Sequence, residues 1–273
     1  CYQLLEQFQG FNLPLMYSLT QNPDEATACF VFEDIGPLPN GRKYAQLGLQ
    51  ETHRVLEFIA AYQAMFWLDE SLSQHGWIRD SSWSHLFNQN LMESVLGWQA
   101  IKQDEKIEKT DGLISAGEFL GSGLIDLMNV MNDRPNTLTH NDLHQGNILL
   151  RQSDSAFEPV VIDWQLTAYA GGTNDLAKFL MTAVPFRIFS DNEKSLVGYY
   201  VDCLQGRGIS DYSFDECWRD YRRAQVMVLA NYAITGVHRL PDGTLQISKG
   251  DSTRAVIKAF GIIDPQELVD VLP

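Results

Sequence analysis

The sequence predicts an α+β fold in which a small β-sheet lobe precedes a larger, mainly helical lobe. Two runs with strand composition, residues 13–20 and 28–32, lie within the first 36 residues. Most of the chain that follows places apolar residues at helical spacing. A second pair of short apolar runs, residues 147–150 and 160–162, interrupts the helical part and has the composition of a β-hairpin.

The expected helices follow from this apolar spacing and from residues that begin or end helices. Gly206 marks the end of one helix, Ser213 and Glu216 form a capping box for the next, and Asp264 with Pro265 begins the last. The predicted spans are 47–68, 113–131, 175–183, 191–204, 214–235 and a terminal helix that starts after Asp264.

A segment rich in Pro and Gly, residues 37–42, separates the part of the chain with strand composition from the part with helical spacing. We therefore expect a remnant of the N-terminal lobe with its hinge over residues 1–36 and a C-terminal helical lobe over residues 37–273. Two strands alone would leave exposed sheet edges, and the first residue is Cys rather than Met. We expect the sequence to be a piece of a longer protein whose small lobe is mostly missing here.

The second hairpin carries polar residues suited to a divalent cation. If its loop, residues 151–159, closes symmetrically about Ser155, Asn147 and Asp163 face each other with Cβ atoms about 5 Å apart. Amide and carboxylate oxygens are hard ligands, and Mg²⁺ takes one or two such groups while water and substrate phosphates fill its other positions. The pair therefore indicates a metal-nucleotide complex rather than a structural metal.

Asp142 lies before Asn147 in a segment whose composition is typical of an irregular loop. A carboxylate in such a loop is suited to accept a hydroxyl proton. The order of a base Asp, an Asn and, after a hairpin, a metal-binding Asp is typical of kinase phosphoryl transfer, in which positioning and charge neutralisation supply most of the catalysis.

The motif His140-x-Asp142-x-His144-x-x-Asn147, followed by Asp163-Trp164-Gln165, resembles the aminoglycoside phosphotransferase and choline kinase-like superfamily, which has a protein kinase-like fold. The likeness is greatest to its CHK kinase-like (ecdysteroid kinase-like) branch. It extends to a loop leading into Asp-Leu-Ala at residues 171–180, to a hinge strand at 29–35, and to residues 62–67, which resemble the first long helix of the large lobe.

The resemblance implies an enzyme that uses ATP and Mg²⁺ to phosphorylate a hydroxyl group of a small molecule. It makes Asp142 the catalytic base and Asn147 and Asp163 the magnesium ligands. The residues that would hold or support the catalytic loop are His140, His144 and Asp175. The residues whose backbone groups would contact adenine are Phe32, Glu33, Asp34 and Ile35.

Two other functions stay open. A kinase also needs a glycine-rich loop over the phosphates, a strand Lys and a Glu that holds it. None of these is visible before Arg42, the first basic residue, so a non-catalytic kinase-fold binding protein is the first alternative. The second is a zinc- or iron-dependent hydrolase with His140, Asp142 and His144 as metal ligands.

The composition narrows the range of partners. The chain has 273 residues, is 45% hydrophobic and carries a net charge of -15, which disfavours binding to nucleic acid or to anionic lipid. Its apolar runs are shorter than the roughly 20 residues that a membrane span needs. The four cysteines form no metal-binding or disulfide pattern, so we expect a cytoplasmic protein. The oligomeric state and the identity of the acceptor do not follow from the sequence.

Overall fold

The computed structural model of the chain describes residues 2–5, 13–22, 24–25, 27–35, 47–79, 84–152, 157–239, 241–242, 245–247 and 251–273. The expected lobe boundary at residues 37–42 and the expected hairpin midpoint at Ser155 lie outside these ranges. In chain order the elements are α1 (Tyr2–Leu5), β1 (Met16–Asn22), β2 (Thr27–Phe32), α2 (Leu49–Met65), α3 (Ser84–Gln103), α4 (Asp111–Phe119), α5 (Leu124–Asn132), β3 (Asn136–Thr139), β4 (Ile148–Gln152), β5 (Phe157–Val161), β6 (Ala168–Gly171), α6 (Thr173–Thr182), α7 (Phe186–Gln205), α8 (Phe214–Thr235), β7 (Val237–Arg239), β8 (Leu245–Ile247), α9 (Asp251–Ala259) and α10 (Pro265–Val271).

The two strands predicted near the N-terminus are confirmed. β1 and β2 pair antiparallel, with Leu19 opposite Phe30 and an irregularity between Met16 and Ser18. At the end of β2 the ring of Phe32 contacts the ring of Tyr2 in α1, with centroids 4.7 Å apart. The short helix α1 therefore lies against the end of the sheet that leads into residues 32–35.

Two helix predictions are wrong at their boundaries. The expected helix 113–131 is two helices, α4 and α5, which meet at an angle of 85°. Gly121 and Gly123 lie in the break between the two helices, and glycine has a low helix propensity. The apolar spacing continues through this break, so the spacing alone predicted one helix. The expected helix 191–204 begins earlier, at Phe186, directly after Pro185 at its N-cap. The capping box at Ser213 and the start of α10 after Asp264 are confirmed.

Within the described ranges, no helix on its own is long and apolar enough to cross a membrane. Only α4 and α5 taken together reach that length and composition.

The helix α6 forms the centre of the core, since all of its residues are buried. It packs against α8 and α9, while α2 packs on α7 and α3 on α8. Gly97 permits the close crossing of α3 and α8, because a Cβ there would lie 1.9 Å from the backbone oxygen of Ala233. Asp175 and Lys178 are charged and buried within α6, and burial of a charge is costly unless a partner compensates it.

The hairpin between residues 147 and 162 is confirmed, but its expected register is wrong by one residue. Ile148 pairs with Val161, and the N–H of Ile162 donates to the carbonyl of Asn147 at 3.0 Å. Ile162, rather than Asp163, therefore lies opposite Asn147. Asp163 follows in a left-handed conformation with φ 67°, which turns the chain out of the strand.

The pairing of β3 with β6 brings the loop after β3 close to the start of α6. Thr139, the last residue of β3, lies opposite Ala168, and its hydroxyl donates to the carbonyl of Ala168 at 3.0 Å. Since β6 leads directly into α6, the loop of residues 140–147 lies over the N-terminal part of that helix.

Candidate active site

The loop of residues 140–147 is held from below by the carboxylate of Asp175. The backbone N–H of His140 donates to its Oδ2 at 2.8 Å and that of Asn141 donates to its Oδ1 at 2.7 Å. Two side chains of α2 also donate to Oδ2, the Tyr62 hydroxyl at 2.6 Å and the Gln63 amide at 3.4 Å. Burial raises the pKa of Asp175, while these four donors favour its ionised form. Asp175 thus fixes the backbone at the start of the loop.

His140 is fully buried and both of its ring nitrogens have partners. Nδ1 accepts from the backbone N–H of Asp142 at 3.1 Å, and Nε2 donates to the carbonyl of Ile162 at 2.8 Å. The pattern requires a neutral ring protonated at Nε2, and burial lowers the pKa of His140 in agreement with it. The imidazole therefore ties the loop to the end of the hairpin.

The same contacts argue against the expected alternative of a zinc or iron site, because His140 has no ring nitrogen left for a metal. His144 accepts from the N–H of Gly146 through its own Nδ1 at 2.9 Å. Among the residues that the structure describes, no group of three or more His, Cys, Asp or Glu side chains is arranged to hold a metal ion.

Asp142 lies beside two basic side chains. Its Oδ1 is 3.2 Å from Nζ of Lys178, and its Oδ2 is 3.5 Å from Nε2 of His144. Burial would raise the pKa of Asp142, but the hydrogen bond with His144 and the attraction of Lys178 together outweigh burial and keep the pKa well below its usual range. Asp142 is therefore ionised near neutral pH and acts as a hydrogen-bond acceptor.

Asn147 is buried directly behind Asp142. Its Nδ2 donates to the backbone carbonyl of Asp142 at 2.9 Å, so its amide oxygen points away from that carbonyl. The oxygen is the atom with which an amide coordinates a hard cation. The hydrogen bond thus orients Asn147 as a metal ligand requires.

Asp163 is exposed at the end of the hairpin, one position beyond the residue opposite Asn147. Its backbone N–H donates to the hydroxyl of Tyr2 at 3.0 Å, and its Oδ2 accepts from the amide of Gln165 at 3.4 Å. Within the described ranges no hydrogen bond joins Asp163 directly to Asn147. Asn147 directly precedes β4 and Asp163 closely follows β5, and an amide oxygen and a carboxylate are the kinds of ligand that Mg²⁺ takes beside water and phosphate.

The segment of residues 32–35 is linked to the hairpin. The N–H of Glu33 donates to the carbonyl of Leu15 at 2.8 Å, and its carboxylate pairs with Arg151 of β4. Because the N–H of Glu33 is already used inside the protein, a backbone contact with adenine would have to come from another group of residues 32–35. The ion pair fixes this segment relative to the strand that follows Asn147.

Several described residues that contact the expected site were not singled out from the sequence for these roles. Among them are Tyr2, Tyr62, Gln63 and Lys178. Only Lys178 carries a sequence signal, since residues three apart on a helix share a face and it follows Asp175 by that spacing. The others come from distant parts of the chain, and no local pattern links them to the loop.

Comparison with solved structures defines the class of fold. The chain is similar to a microcompartment-associated aminopropanol kinase, with 17% identity, a TM-score of 0.56 and coverage of 95% of this chain and 76% of that one. It is also similar to a mutant aminoglycoside 2'-phosphotransferase-IIIa in complex with GDP, with 14% identity, a TM-score of 0.53 and coverage of 98% and 78%. A third similar structure is an ethanolamine kinase from Plasmodium vivax, with 11% identity, a TM-score of 0.50 and coverage of 94% of this chain and 68% of that one. These likenesses confirm the protein kinase-like fold.

Residues 5–207 match the sequence profile of the ecdysteroid kinase-like family, and the chain belongs to that family. The match confirms the resemblance seen in the sequence motifs. A comparison with curated protein sequences gave no match.

Proposed function

We propose that this protein transfers the γ-phosphoryl group of ATP, bound with Mg²⁺, to a hydroxyl group of a small molecule. The observation that carries the proposal is the arrangement around Asp142. An ionised carboxylate lies next to the amide of Asn147, and both sit on a loop whose first two backbone N–H groups donate to Asp175. Membership of the ecdysteroid kinase-like family supports the same reaction.

In the proposed reaction the acceptor hydroxyl lies against Oδ2 of Asp142. The hydroxyl oxygen forms a bond to the γ-phosphorus, the bond from that phosphorus to the bridging oxygen of ATP breaks, and ADP leaves. The hydroxyl proton passes to Asp142. Because the low pKa of Asp142 makes it a weak base, its main contribution is to orient the hydroxyl and to take the proton late, as a loose transition state allows.

Asn147 and Asp163 would hold the magnesium ion. When bound, the ion would supply positive charge that neutralises the charge developing on the phosphates. The hydrogen bond from Nδ2 of Asn147 to the carbonyl of Asp142 keeps its amide oxygen turned away from that carbonyl, and the left-handed backbone of Asp163 turns the chain out of the strand. We also propose that residues 32–35 contact the adenine ring and that residues 1–36 belong to the nucleotide-binding lobe.

The test uses the purified protein at its full native length, Mg·ATP and a panel of amino alcohols, aminoglycosides and hydroxysteroids. Transfer is measured as ADP release together with the mass gain of one phosphoryl group on the acceptor. Asp142→Asn should lower turnover about 10²- to 10⁴-fold and leave the affinity for Mg·ATP nearly unchanged. Asp202→Asn, which changes an exposed Asp on α7, is the matched control.

Three outcomes separate the candidate functions. Transfer that depends on Asp142 supports the proposal. Stabilisation of the wild-type protein by Mg·ATP without transfer to any acceptor or to water favours the non-catalytic binding protein instead. Unchanged turnover in Asp142→Asn removes Asp142 from the mechanism.

A further inference from the structure

Lys178 contacts Asp142 but was not among the expected active-site residues. It extends from α6 and is almost fully buried, with 4% of the residue exposed. Its Nζ is 3.2 Å from Oδ1 of Asp142 and 4.7 Å from the centroid of the Tyr232 ring on α8. Among the residues that the structure describes, Asp142 is its sole ion-pair partner.

Both contacts favour the charged ammonium group. The face of an aromatic ring attracts a cation, so the Tyr232 ring limits the movement of Nζ together with Asp142. A buried lysine that is held in this way acts as a fixed donor. The rotamer of Asp142 is then defined by three groups on two elements, because Oδ2 also lies 3.5 Å from both His144 and Asn147.

We propose that Lys178 is a positioning residue, which binds Oδ1 of Asp142 and thereby directs Oδ2 toward the acceptor hydroxyl. The inference rests on the proposed function, since it assigns a role within the same site. A purely structural role for the ion pair predicts a different result. Lys178→Met would then lower stability, because it leaves the carboxylate of Asp142 without its buried partner, but the kcat of the folded variant would stay intact.

The experiment compares Lys178→Met, Lys178→Arg and the control Lys258→Met at full native length. Lys258 also lies over an aromatic ring, that of Phe186 at 4.0 Å, but it is exposed and on α9. The measurements are ADP release from Mg·ATP with the acceptor panel and with water alone, the KM for ATP, and the shift in thermal unfolding on addition of Mg·ATP.

Lys178→Met should lower kcat about a hundredfold, the effect expected when a reacting group is misplaced by about 1 Å. The KM for ATP and the thermal shift should stay within about twofold, since Lys178 contacts Asp142 and not the nucleotide in this proposal. Lys178→Arg should recover about a tenth or more of wild-type kcat, because it restores a cationic donor. Lys258→Met should match the wild type.

A folded Lys178→Met protein with a kcat within about threefold of wild type overturns the inference. So does a loss of kcat that Lys178→Arg does not relieve at all. If Lys178→Met does not fold, Lys178→Gln, which is shorter and uncharged, must lower kcat at least about tenfold. A wild-type protein that neither binds Mg·ATP nor releases ADP refutes the proposed function itself, and with it the role of Lys178.

Discussion

Substitution of Asp175 by Asn tests whether one buried carboxylate fixes the candidate catalytic loop. The two side chains have nearly the same shape, so the change removes the charge and one acceptor without opening a cavity. Among the described residues, Oδ2 of Asp175 accepts from three groups, whereas Oδ1 accepts only from the N–H of Asn141. The amide of an Asn would therefore place its oxygen at Oδ2 and its NH₂ group at Oδ1.

The expected loss of stability follows from that orientation. The N–H of Asn141 would face a second donor and lose its acceptor, which costs about 1–3 kcal/mol for a buried group. The three bonds at the other oxygen would weaken because they are no longer charge-assisted. Relief of the buried charge offsets part of this loss, since burial raises the pKa of Asp175. A net destabilisation of about 2–4 kcal/mol is expected.

The assay is urea unfolding near pH 7, followed by circular dichroism, together with kcat and the KM for ATP. Turnover should fall more than ATP affinity does, because Asn141 directly precedes Asp142. Asp202→Asn again serves as the control, with a stability change of less than about 0.5 kcal/mol, as is usual for a surface position. A loss of less than about 1 kcal/mol in Asp175→Asn, or equal effects of the two variants, would refute the role of Asp175 as an anchor.

Two further substitutions test the packing and the pH dependence. Gly97→Ala should destabilise the protein by at least about 1–3 kcal/mol through overpacking, because its Cβ would overlap the backbone of α8. Gly121→Ala, with its nearest neighbour 3.7 Å away, should be neutral or stabilising, and a similar loss in both variants would argue against the close helix crossing. Burial lowers the pKa of His140 in the folded protein, so as the pH falls His140 binds a proton in the unfolded chain before it does so in the folded protein. The free energy of unfolding should therefore decline below about pH 6.5. Urea midpoints at pH 7.5 and 5.5 should differ less in His140→Gln than in the wild type, and an equal or larger difference would exclude this contribution.

The sequence carries enough local information to predict the hairpin and most helices. The apolar run before Arg151 and the run after Pro159 have strand composition, and the capping residues at Ser213 and Asp264 begin helices where expected. Local patterns do not determine how residues 113–131 bend, because the apolar spacing continues through the glycines. They also leave the hairpin register open by one residue, since the loop between its strands has no sequence feature that fixes its closure.

The site was only partly predictable for a related reason. The motif from His140 to Asn147 places the candidate catalytic residues along the chain, and the resemblance adds Asp175, but neither identifies the other residues beneath the loop. Asp175 and Lys178 lie one helical turn apart on α6, so the sequence puts them on one face. That this face lies under the loop depends on the pairing of β3 with β6, a contact between segments distant in sequence. In the resulting arrangement one face of a buried helix supplies both supports of the loop, with Asp175 binding its backbone and Lys178 binding the side chain of Asp142. The resemblance to the kinase-like superfamily already implied a supporting role for Asp175, whereas spacing alone puts Lys178 on the same face without showing that it is buried. The burial of Lys178 supports the role proposed for it.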